Sequence, residues 1–121
     1  MNLTTPAGKF LKCCLACRND RQFYGQPPGR FVAVALRQMN VPCVQNVENL
    51  SLLGRRVEPE NVLPGDLLFF SLRGQKTPDF AGVSLGGMDM LCADAENHNL
   101  VDAATLDDAW TVRFVQARRV F

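Results

Sequence analysis

The hydrophobic rhythm of this chain changes period at Leu63-Pro64-Gly65-Asp66, and that change constrains its fold more than any other feature. Before it, apolar residues recur at helical spacing, with Phe10, Leu11, Cys14 and Leu15 in one run and Phe31, Val34, Ala35 and Leu36 in another. After it they come in short runs bounded by Gly, Asp and Asn. These are Leu67-Leu68-Phe69-Phe70, Ala81-Gly82-Val83-Ser84-Leu85, Met88 to Cys92, Leu100 to Ala103 and Val112 to Val120. Helices first and strands afterwards predict an α+β fold, with the helices packed on one antiparallel sheet. A chain of 121 residues can bury one core, so 1–121 reads as a single domain, helical over about 5–40 and sheet over about 63–121.

Local punctuation agrees with this division. Thr5 is placed to cap the first helix and Pro6 to open it, while Arg18-Asn19-Asp20 ends it. Gln26-Pro27-Pro28-Gly29 forbids helix and precedes a second one over Arg30 to Met39, closed by Asn40-Val41-Pro42. Residues 43–62 are mixed and polar, and read as an irregular crossing with one helical turn near Val47–Leu53. Another turn is expected at Leu106–Trp110. Pro64-Gly65 makes a tight turn that launches a buried strand, and Asp66 is placed to hydrogen-bond the turn's backbone.

Composition removes several classes of function. A net charge of +1 argues against nucleic acid as a partner. No apolar run approaches the roughly 18–20 residues of a membrane-spanning helix, so no membrane span is expected. Met1 to Phe10 lacks a basic start followed by an apolar stretch, so no secretory signal is read and a cytoplasmic location is expected, with unconventional export as the alternative. The five cysteines (Cys13, Cys14, Cys17, Cys43 and Cys92) are odd in number and read as free, mostly buried thiols in a reducing compartment. Cys14-Leu15-Ala16-Cys17 has the spacing of a zinc or redox pair. It has no second pair to work with, and His98 is the only histidine, so neither metal nor cofactor is expected. Charge is unevenly spread: residues 77–112 hold Asp79, Asp89, Asp94, Glu96, Asp102, Asp107 and Asp108 but no Lys or Arg. That pattern reads as a solvated acidic face, with a basic protein partner as the alternative.

Taken in order, Leu63-Pro64-Gly65-Asp66-Leu67-Leu68-Phe69-Phe70, Gly82-Val83-Ser84-Leu85-Gly86, Trp110, Arg113-Phe114 and Ala117-Arg118-Arg119-Val120 carry a further signal. This set resembles the NlpC-type cell-wall peptidases, papain-like bacterial cysteine endopeptidases that cut peptidoglycan stem peptides. The resemblance runs from about Leu11 to Phe121 and implies N-terminal helices against a five- to six-stranded antiparallel sheet. It also implies a cysteine at the start of the second helix, a histidine on a later strand, and a third polar group orienting that histidine. The chemistry needs each of them: the helix dipole favours the thiolate, the imidazole takes its proton, and the third group fixes the ring.

In this sequence the three positions fall on Pro28, Phe80 and Cys92, while Tyr24-Gly25 stands where the family carries Tyr-Gly. No cysteine occurs between Cys17 and Cys43, and His98 sits in the turn-like Glu96-Asn97-His98-Asn99. The expectation is a pseudoenzyme whose groove is partly filled by apolar side chains and which acts as a binding or scaffold module. Tyr24, Arg30, Phe80, Ser84 and Cys92 are the candidate groove residues. The expected partner is a protein, met through the acidic 77–112 region, or a peptidoglycan fragment. The alternative is a divergent cell-wall peptidase or amidase in which Cys92 and His98 form a relocated pair across a hairpin.

Overall fold

The computed structural model describes residues 4–121; residues 1–3, counted above in the domain, lie outside the described residues. Helix α1 (Pro6–Ala16) begins as its sequence dictates, with the Thr5 side chain accepting the Gly8 N–H at 3.1 Å and Pro6 in the first turn. Helix α2 (Arg30–Gln38) follows the Pro27-Pro28-Gly29 break and stops before Asn40, which takes a left-handed φ of 62°. Helix α3 (Val47–Leu50) is a single turn capped by Asn46, whose side chain accepts the Asn49 N–H at 3.1 Å.

Six strands follow: β1 (Arg55–Val57), β2 (Leu67–Phe70), β3 (Phe80–Gly86), β4 (Asp89–Asp94), β5 (Leu100–Thr105) and β6 (Phe114–Arg119). They form one antiparallel sheet in the order β1-β6-β2-β3-β4-β5. Strand β1 corrects the reading of 43–62 as irregular. Three residues carry too little alternation to register as a strand, and what makes them one is pairing with Ala117–Arg119 from the far end of the chain. The last strand likewise begins at Phe114 rather than Val112. Asp107 caps helix α4 (Asp108–Thr111), accepting the Trp110 N–H at 3.2 Å, and this keeps Val112 at the helix end.

The sheet buries both faces near its centre. All four residues of β2 are buried, and they alternate sides. Leu67 and Phe69 join Phe10, Phe31, Leu36, Ala81, Val83 and Leu91 under α1 and α2, in the larger cluster. Leu68 and Phe70 join Phe80, Met90, Cys92 and Ala117 on the opposite face, where Trp110 and Phe114 pack over them. Each fully buried large side chain contributes about 1.5–3 kcal/mol.

Two distant motifs of the sequence meet in one contact. Asp66, only 3% exposed at its side chain, accepts from the Leu63 N–H at 2.8 Å, as the turn chemistry predicts. It also takes a fork from Arg119, Nε to Oδ1 and Nη2 to Oδ2, both at 2.8 Å, while Nη2 reaches the Asn61 carbonyl at 2.9 Å. The Pro-Gly-Asp turn and the C-terminal arginine thus pin β2 and β6 side by side.

Candidate functional site

The start of α2 is closed by backbone. A Cβ on Gly29, the residue before the helix, would collide with the Gln45 carbonyl oxygen, so only glycine lets the chain leading into α3 lie against this helix end. Pro28 is half-buried in a recess of about 400 Å³ that it shares with Gln45, Val47, Pro78 and Asp79. Neither Cys nor His lines that recess. Arg30 turns its Nη1 toward Gln45 Oε1 at 3.5 Å. A helix N-terminus favours a thiolate, but proline offers no proton to remove.

Phe80 opens β3 and lies on the sheet face away from the helices. Strand alternation sends Ala81 and Val83 to the helix side, and so Phe80 to the other. It is 6% exposed, with ring centres 5.1 Å from Trp110 and 6.3 Å from Phe70. Cys92 pairs across β3 with Gly82 and across β5 with Asp102, and is 3% exposed. Phe80 and Cys92 do line one cleft of about 350 Å³, with Trp110 and the carboxylates of Asp94, Glu96 and Asp102 around it. Burial, followed by the charges of Asp94 and Asp102, pushes the Cys92 thiol up to about 12, so the nucleophilic thiolate is scarce at neutral pH.

The remaining candidates lie apart. Tyr24 is 48% exposed and stacks on the His98 ring at 4.5 Å. His98 follows the turn at Ala95–Asn97 with a left-handed φ of 54°, and its carbonyl accepts the Gly25 N–H at 2.6 Å. No hydrogen bond joins its ring to Cys92 among the described residues. Ser84 is buried, its Oγ accepts the Gly86 N–H at 3.1 Å, and it borders a separate apolar recess with Leu68, Met88 and Phe114. Of the five candidates, Phe80 and Cys92 share a cleft; Ser84 lies on the same sheet face but four residues along β3 in a separate recess, and Tyr24 and Arg30 line neither.

Within the acidic stretch several carboxylates also hold local structure. Asp79 accepts the Leu72 and Arg73 N–H groups at 2.8 and 3.2 Å, Asp94 caps the turn at Glu96, and Asp107 caps α4. Asp102 pairs with Arg18 Nε at 2.8 Å. Among the described residues, no group of three His, Cys, Asp or Glu is placed to hold a metal ion, and no helix is long and apolar enough to cross a membrane. Cys14 and Cys17 are buried, and all five cysteines are free.

The helices, the sheet order and the clamp of β2 to β6 point to one fold, and comparison with known proteins decides the family. The NlpC/P60 family matches residues 29–119, most of the chain. The chain belongs to the NlpC/P60 family. No curated protein matches. Solved structures of the same family share the fold at low identity. NlpC2 from Trichomonas vaginalis superposes with a TM-score of 0.80 at 12% identity, covering 99% of this chain and 49% of that one. The peptidoglycan hydrolase RipB from Mycobacterium tuberculosis gives 0.72 at 16%, covering 98% and 66%. An NlpC/P60 protein from Bacillus cereus gives 0.68 at 21%, covering 78% and 31%. This chain therefore spans from about a third to two thirds of the length of these relatives.

The reading of the sequence missed what surrounds Phe80 and Cys92. Trp110 registers there only as part of a terminal pattern. Its place over Phe80 depends on α4 folding back from some thirty residues along the chain. Asp94 and Glu96 register only as charges, and their convergence beside Cys92 is set by the β4–β5 turn.

Proposed function

We propose that this NlpC/P60 domain is non-catalytic and serves as a binding or scaffold module for a protein partner or a peptidoglycan fragment. One observation carries the reading: the recess at the start of α2, where the family's chemistry calls for a thiol, is lined by Pro28, Pro78, Gln45 and other groups with neither cysteine nor histidine among them. Two others support it. Phe80 is buried in an aromatic cluster and offers no base, and Cys92 holds its proton far above neutral pH. The relocated Cys92–His98 pair draws no support from the geometry, since His98 stacks on Tyr24 and lies outside the residues lining the Cys92 cleft.

The test combines turnover with capture. Purified protein incubated with muropeptides should release no new product by mass spectrometry, while affinity capture or a muropeptide binding assay should recover a bound species. Turnover that survives purification and disappears in Cys92→Ala would contradict the proposal. Capture and muropeptide binding that both came up empty would remove its functional half.

A further inference from the structure

The cleft bordered by Phe80, Cys92 and Trp110 combines an aromatic wall with a negative rim that is only partly compensated. Trp110 and Phe80 lie 5.1 Å apart with their rings inclined by 33°, and Phe70 braces Trp110 edge-on at 5.1 Å. Three carboxylates line the same cleft: Asp94, Glu96 and Asp102. Asp102 is neutralised by Arg18 at 2.8 Å. Asp94 spends one oxygen on the Glu96 N–H at 3.0 Å; its other oxygen and the Glu96 carboxylate have no partner among the described residues. No Lys or Arg lines the cleft, and none occurs anywhere in residues 77–112.

A flat, weakly hydrated cation suits such a wall and rim. A guanidinium stacks on an aromatic face while its edge pairs with carboxylates, whereas a compact, strongly hydrated ammonium fits less well. An anionic peptidoglycan stem peptide would meet this field with the wrong sign. We propose that the cleft receives an arginine side chain from a basic segment of a protein partner, stacked on Trp110 and paired with Asp94 and Glu96. This rests on the non-catalytic reading above and chooses between the two partners left open there.

The only tryptophan of the chain is Trp110, so its emission reports the cleft directly. The protein is titrated with acetyl-Arg-Arg-Arg-amide, with the neutral isostere acetyl-citrullyl-citrullyl-citrulline-amide, and with a muropeptide. The expected result is a saturable emission change with the arginine peptide, at least about tenfold weaker with the citrulline peptide and in the double variant Asp94→Asn/Glu96→Gln. The response should weaken as salt is added. Asn retains the capping oxygen at residue 94, and circular dichroism confirms that the variant is folded. An absent response to the arginine peptide, or an equal one to citrulline, overturns the inference. So does a response to the muropeptide alone without cleavage, which leaves the non-catalytic reading standing. Muropeptide cleavage would instead overturn that earlier reading.

Discussion

Proline at the entrance to α2 changes what that helix end can do. The dipole of the helix end remains, with no side chain capping it, but Pro28 supplies no group for it to activate. A thiol restored there should regain reactivity without catalysis. We expect Pro28→Cys to be alkylated by iodoacetamide at neutral pH faster than buried Cys14, Cys17 or Cys92, as read by peptide mass spectrometry, and to cleave no muropeptide. Cleavage would show that a base is available after all. Phe80 closes an aromatic cluster with Phe70 and Trp110. Phe80→Ala should cost about 3–5 kcal/mol in urea unfolding, through lost burial and the cavity left behind. A cost below 1 kcal/mol would mean that the cluster collapses around the gap. That these residues are apolar was legible in the sequence. Their facing was not, because a one-residue step along β3 puts Phe80 and Ala81 on opposite sides of the sheet.

At the scale of elements, the clamp between Asp66 and Arg119 holds the sheet's centre. Removing the guanidinium leaves a buried carboxylate with only the Leu63 N–H to satisfy it. Arg119→Ala should therefore lower stability by about 3 kcal/mol in chemical denaturation. Arg119→Lys should recover only part of the loss, since an ammonium cannot supply the fork. Equal stability of Arg119→Ala and the parent would contradict this role. The two long helices and the strands at β2, β3, β4 and β5 were readable because each carries its own periodicity or turn chemistry. Strand β1 was not, since Arg55–Val57 owes its conformation to Ala117–Arg119, contributed from some sixty residues away. The helix α4 was readable as a turn, but not as the cover over Phe80.

For the molecule as a whole, the buried thiols make stability depend on alkaline pH. In the folded state, burial raises Cys92 to about 12 and Cys17 to about 11 from an ordinary value of 9.0, and raises Cys14 as well. The folded protein thus keeps protons that the unfolded chain releases. The stability linked to them is complete below about pH 9 and is lost as pH rises toward 11 and 12. Denaturation midpoints should stay level up to pH 9 and then fall, and Cys92→Ala should flatten part of that fall; a parent profile level to pH 11 would contradict the assignment.

The same whole-molecule view frames the central proposal, that this NlpC/P60 domain is non-catalytic. Its most direct test is single-turnover incubation of the purified domain, in excess, with muropeptides over long times. The account predicts no cleavage product above that in buffer, whether or not the thiols are first alkylated. Product formed by the untreated protein and abolished by alkylation would contradict it.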